Sequence, residues 1–136
     1  MRCFPVAALA VAFIVASAMM PAIAEDDARS RSVEACRGSA DEAALLACRE
    51  ADLAAVKAEM ERQVTILAAR YGEDGPEHLN VLMAAQEAWT VFYQAECHHL
   101  TWESSLGSAA AVYELECHST LHRRRIGELQ ELVDSP

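Results

Sequence analysis

The sequence lacks the pattern of a β-sheet protein. No segment alternates apolar and polar residues for long enough to form a half-buried strand, and the β-branched residues are sparse and scattered. Helix-breaking residues are also few, with five glycines and four prolines among 136 residues. Because so few points interrupt the chain, the sequence predicts a small number of long helices and an all-α fold.

The common signatures of enzymes are missing as well. No serine occupies a nucleophile elbow, no glycine-rich loop is placed to hold a phosphate, and no CxxC pair is present. Carboxylates such as Glu59 and Glu61 stand two residues apart, so they would point in different directions on a helix. We therefore expect the protein not to be an enzyme and to need no cofactor.

Residues 1–24 have the features of a signal peptide. Arg2 supplies a positive start, residues 6–20 are apolar without a single charge, and Ala22-Ile23-Ala24 offers the small side chains that a signal peptidase recognises. A proline follows the apolar run directly, which favours cleavage after Ala24 over a membrane-spanning helix. We expect a periplasmic or secreted protein with no membrane anchor after cleavage.

Positive charge is scarce in the expected mature chain. Without Arg2, ten basic residues remain against twenty-one acidic ones, a formal charge of −11. Such a charge repels nucleic acid and attracts a cationic protein, although it could also serve solubility alone. The one basic cluster is His122-Arg123-Arg124-Arg125, with acidic neighbours such as Glu128. We therefore expect a cationic protein partner and no nucleic acid.

The chain divides into a leader and a helical domain. Residues 25–35 are polar and without periodicity, which predicts a flexible leader, and the helical domain covers residues 36–134. The capping box Ser39-Ala40-Asp41-Glu42 predicts the start of a first helix that runs to Tyr71 and ends at Gly72.

Two further helices follow the first. The segment Gly72-Glu73-Asp74-Gly75-Pro76 predicts a turn, with Pro76 in the first turn of the second helix. Gly107-Ser108 breaks the next run of apolar spacing, and Ser108 is placed to cap a third helix. Short connections make successive helices neighbours, so we predict a three-helix antiparallel bundle. We expect its core to contain the aromatic side chains Trp89, Phe92, Tyr93 and Trp102.

Loss of the signal peptide leaves an even number of cysteines. Cys36, Cys48, Cys97 and Cys117 predict two disulfides in an oxidising compartment, with three connectivities open. Cys97 and Cys117 lie ten residues to either side of Gly107, so a hairpin there would bring them opposite one another. This symmetry favours Cys97 with Cys117 and Cys36 with Cys48, with crossed pairing between the two ends as the alternative.

Four histidines raise the alternative of a metal site. His98 and His99 follow Cys97, and His118 and His122 stand four residues apart and so share a helix face. Zinc or copper accepts such ligands, but oxidised cysteines would not contribute thiolates. Exposed surface histidines are the simpler interpretation.

The spacing of several residues resembles the N-terminal domain of the LprI-like lysozyme inhibitors. The resemblance extends from about Cys36 to Leu132, and it rests on the order of the cysteines and of a few other residues. These residues are Asp52, Gln86, Trp89, Gly107, Ser108, Arg125 and Leu129. It implies a helical, disulfide-bearing exported domain, some of whose relatives inhibit lysozyme.

Together these observations favour an exported binding protein of the cell envelope. The leading hypothesis is a lysozyme inhibitor that blocks a cationic enzyme, with Glu73 and Asp74 as candidate contacts to its cleft. The alternatives are a periplasmic metal-binding protein that uses the histidines, and a structural interaction module without inhibitory activity.

Overall fold

The computed structural model describes residues 21–107 and 109–135, and every described element is helical. The helices are α1 (Pro21–Ala35), α2 (Glu42–Asp74), α3 (Pro76–Thr101) and α4 (Ala110–Asp134), with a short 3-10 helix at Trp102–Ser104. The all-α prediction is confirmed. Most of the predicted signal peptide, residues 1–20, and the predicted cap Ser108 lie outside the described residues.

The prediction of a flexible leader at residues 25–35 is wrong, because these residues belong to α1. Ala28, Ser32 and Cys36 recur every four residues and are buried, with relative exposures of 1%, 0% and 5%. The face that α1 packs against α4 and α2 is therefore made of small side chains. It carries no stripe of large apolar residues, so hydrophobic periodicity does not reveal it.

Both ends of α2 differ from the sequence-based expectation. The residue that caps its N-terminus is Asp41, whose Oδ1 accepts the Ala44 backbone N–H at 2.8 Å. The Ser39 hydroxyl instead donates to the carbonyl oxygen of Cys36 at 3.0 Å. At the other end the helix continues through Gly72 to Asp74, and it stops at Gly75, whose φ of 129° favours glycine.

The three long helices run up, down and up. Stacking of Tyr71 on His78 across Gly75 shows that α2 and α3 are antiparallel. The Cys97–Cys117 disulfide and the Gln86–Arg125 hydrogen bonds show the same for α3 and α4. Successive long helices thus pack as predicted, and α1 adds a fourth helix to the three expected.

Two small clusters form the core. Leu67, Leu82 and Leu129 lie together in one, and Tyr93, Cys97 and Leu121 in the other, with Trp89 half-buried beside them. The prediction that Phe92 and Trp102 belong to the core is wrong, because these side chains are 52% and 63% exposed. Phe92 lies on the outer side of α3, next to the buried Tyr93 in sequence.

The disulfide prediction is confirmed. Cys36 is bonded to Cys48 and Cys97 to Cys117, with Cα–Cα distances of 5.8 Å and 5.7 Å. The first bond ties the end of α1 to α2, and the second ties α3 to α4. Each bond therefore closes one helical hairpin.

Across the described ranges, none of the helices is both long and apolar enough to cross a membrane.

Candidate functional site

A buried arginine network fastens α1 to the bundle. Arg49 of α2 is 4% exposed and donates to the carbonyl oxygen of Ser32 on α1. Its guanidinium also lies 3.3 Å from the Glu116 carboxylate of α4. Arg123 of α4 donates to the Ser32 hydroxyl at 3.2 Å and to the Asp52 carboxylate of α2. Ser32 thus accepts hydrogen bonds from two different helices, which holds α1 in place.

Other residues of the predicted family motif connect α3 to α4. The Gln86 Oε1 accepts two hydrogen bonds from Arg125, at 2.9 Å and 2.6 Å, and Arg125 also donates to Glu128 at 2.7 Å. Leu129 is fully buried in the core. These contacts engage the Gln86 and Arg125 side chains within the fold.

The histidines do not assemble into a metal site. His122 is buried, and its ring stands edge-on to Trp89 and Tyr93 with centroids 4.9 Å and 4.7 Å apart. His118 also contacts Tyr93, whereas His98 lies against Trp102 at the end of α3. His99 is exposed. No group of three potential ligands occurs among the residues that the structure describes.

Burial affects the charge of two of these histidines. The His122 Nδ1 lies 2.7 Å from the carbonyl oxygen of His118, so that nitrogen carries a proton and donates. Desolvation by burial lowers the pKa of His122 below its ordinary value, and it lowers the pKa of His118 for the same reason. Both side chains therefore favour the neutral form and pack as aromatic groups.

The candidate contacts Glu73 and Asp74 lie in the last turn of α2 and are exposed. Asp74 lies 3.8 Å from the His78 ring nitrogen Nδ1. Because the helix includes both residues, they do not form a protruding loop. Their insertion into an enzyme cleft remains a prediction.

Negative charge is concentrated in one continuous part of the chain. Residues 71–122 contain no lysine or arginine. The acidic residues of this acidic segment are Glu73, Asp74, Glu77, Glu87, Glu96, Glu103, Glu114 and Glu116. Of these, Glu116 pairs with Arg49 and Arg29, both of which lie outside the segment. The other carboxylates make no ion pair with an arginine or lysine among the described residues, so α3 presents uncompensated negative charge.

Most of this helical chain matches the model of a known protein family. A family model described as lysozyme inhibitor LprI matches residues 34–129. The chain belongs to this family. The match includes both disulfides and the paired residues Asp52, Gln86 and Arg125. No curated protein and no solved structure matches the chain.

Membership in the LprI family agrees with the resemblance inferred from the sequence. The structure shows what several of the motif residues do in this LprI domain. Asp52, Gln86, Arg125 and Leu129 hold helices together through ion pairs, hydrogen bonds and core contacts. These four residues therefore stabilise the packing of the helices in this chain.

Sequence reasoning missed the partners of these motif residues. Arg49, Arg123 and Glu116 are charged residues on amphipathic helices, and such residues normally lie in solvent. Their pairing depends on contacts between residues 67 and 71 positions apart. By contrast, the absence of lysine and arginine from residues 71–122 can be read directly from the sequence. The net charge of the whole chain does not reveal this local feature.

Proposed function

We propose that this LprI domain is exported and inhibits a lysozyme by binding the enzyme and blocking access to its substrate. The observation that carries the proposal is the family match over residues 34–129, supported by a fold in which the motif residues make their contacts. Lysozymes are cationic proteins that act on the bacterial cell wall, so an exported inhibitor would meet them outside the cytoplasm.

Charge supports the choice of partner. The expected mature chain carries a formal charge of −11, and the acidic segment of residues 71–122 contributes no positive charge. Opposite net charges steer two proteins together and raise their association rate, and this effect weakens as salt is added. We therefore expect binding to lysozyme to be fast at low ionic strength and slower at high ionic strength.

Export is supported by two independent features. Residues 1–24 have the composition of a cleavable signal peptide, and the two disulfides require an oxidising compartment. When the full chain is expressed in an exporting bacterial host, we expect the intact mass of the product to correspond to a chain that begins at Glu25. A mass that includes residues 1–24 would contradict cleavage.

The inhibitory activity can be tested with the oxidised protein and a purified lysozyme. We expect a molar excess of the protein to slow the clearing of a suspension of bacterial cell walls, and the effect to diminish as salt is raised. A sample of the same protein that is reduced and alkylated with iodoacetamide is the matched control, because it keeps the charge and loses both disulfides. Clearing at an undiminished rate in a large excess of oxidised protein would refute the proposal.

A further inference from the structure

Helix α3 has a second apolar face that points away from the core. Val81, Ala85, Ala88, Phe92 and Ala95 recur at spacings of three and four residues, and all five are exposed. We call this set the α3 stripe. Val81 is 63% exposed, and the adjacent Val91 on the same helix is 65% exposed. The opposite side of α3 packs its buried residues, such as Tyr93, against α4.

Contiguous apolar surface on a soluble domain commonly marks a site of interaction with another molecule. The four-residue spacing places Ala88 and Phe92 on the same side of α3, where Phe92 is the one large side chain among the alanines next to it. Such a surface can admit an apolar side chain of a partner on either side of the ring.

The charges around the α3 stripe define the chemistry of the partner. Glu77, Glu87 and Glu96 lie on the same helix, and none of them forms an ion pair among the described residues. The helix contains no lysine or arginine. Carboxylates on α1, α2 and α4 differ in this respect, because several of them pair with arginines of their own or a neighbouring helix. The stripe is therefore an apolar centre with an acidic rim.

This arrangement disfavours a second copy of the chain as the occupant. In a symmetric dimer through α3, each glutamate rim would face a rim of the same sign, with no lysine or arginine on the helix to compensate it. A cationic partner would meet opposite charge at the rim and apolar surface at the centre. That combination is the usual anatomy of a protein interface.

We propose that the α3 stripe is the surface on which the cationic enzyme docks, with Phe92 as the central anchor and Glu77, Glu87 and Glu96 as the charged rim. This inference rests on the proposed function, since it takes lysozyme as the partner. It assigns binding to residues on the outer side of α3, centred on Phe92.

The test compares substitutions in the stripe with matched substitutions elsewhere. Phe92→Ser removes the anchor, and its control is Leu132→Ser, an apolar residue of α4 that is 44% exposed. Glu87→Lys reverses a rim charge, and its control is Glu61→Lys, which changes the net charge equally at an exposed position of α2. All four positions lie outside the core, so circular dichroism should show the same helical content in every variant.

Calorimetric titration of a purified lysozyme into each oxidised protein gives the dissociation constants. We expect Phe92→Ser to raise the dissociation constant by at least about tenfold, as for an anchor residue, and Leu132→Ser to change it by less than about twofold. Glu87→Lys should slow association measured by stopped flow, and it should reduce the salt dependence more than Glu61→Lys does.

The possible failures can be told apart. If the unmodified protein binds lysozyme and Phe92→Ser binds equally well, the α3 stripe is not the docking surface and the proposed function stands. If the unmodified protein does not bind lysozyme, both the function and this inference fall. Sedimentation velocity gives a further outcome, because a dimer that Phe92→Ser converts to a monomer would make a second copy the occupant and overturn the inference.

Discussion

Removal of the Asp52 carboxylate should destabilise the domain strongly. The Asp52 side chain is 9% exposed, and its only ion-pair partner among the described residues is Arg123, which is 18% exposed. Arg123 in turn donates to Ser32 of α1. Asp52→Ala would therefore leave the largely buried Arg123 guanidinium without a compensating charge, and it would weaken the attachment of α1.

The size of the effect follows from the burial of the pair. Loss of one partner of a buried ion pair costs about 3 to 5 kcal/mol, and the residual exposure of Arg123 places the expected loss near the lower end, at about 3 kcal/mol. With a denaturant dependence of about 1.5 kcal/mol per molar urea, the midpoint of unfolding should fall by about 2 M. Asp52→Asn keeps an oxygen that can accept from Arg123, so its loss should be smaller.

The assay is urea unfolding of the oxidised protein, followed by far-UV circular dichroism. Glu34→Ala is the matched control, because Glu34 on α1 pairs with the exposed Arg37 and surface ion pairs contribute little to stability. If Asp52→Ala shifts the midpoint no more than Glu34→Ala does, the buried arginine network does not hold the helices together, and the predicted loss of stability is refuted.

Two further predictions concern the core. Because burial lowers the pKa of His122 below 6.5, the unfolded chain binds that proton more readily, so the free energy of unfolding should fall as the pH drops below about 6.5. His122→Gln should reduce this dependence in urea titrations over a pH series, and identical slopes for the two proteins would contradict it. The double substitution Cys97→Ala and Cys117→Ala should cost about 3 kcal/mol by removing a bond that spans 20 residues. A melting temperature equal to that of the unmodified protein would show that the bond adds no stability.

The long helices and the covalent bonds could be predicted because their signals are local. Long runs with few glycines and prolines, and with apolar residues at spacings of three and four, predict α2, α3 and α4, and their short connections make neighbours antiparallel. The symmetry of Cys97 and Cys117 about Gly107 predicts their bond. The prediction that α2 ends at Gly72 is wrong, because the helix accommodates this glycine. The backbone turns instead at Gly75, which adopts the positive φ.

Helix α1 and the roles of the charged residues could not be predicted in this way. Ala28 and Ser32 are small or polar, so their burial depends on how closely α4 can approach, and no periodic pattern of apolar residues records it. Phe92 and Tyr93 are adjacent aromatic residues with opposite environments. Sequence spacing places them about 100° apart on a helix, but it does not say which of them faces the core.

The sequence by itself determined the helical class, the negative charge and the family, and it favoured the observed disulfide pairs, because each depends on composition or on short-range spacing. Only the tertiary structure shows that Asp52, Gln86 and Arg125 make contacts between helices and that the α3 stripe is exposed to solvent. The physical reason is distance along the chain. A buried charge finds its partner on another helix, and a helix face becomes free surface only when the other helices pack against its opposite side.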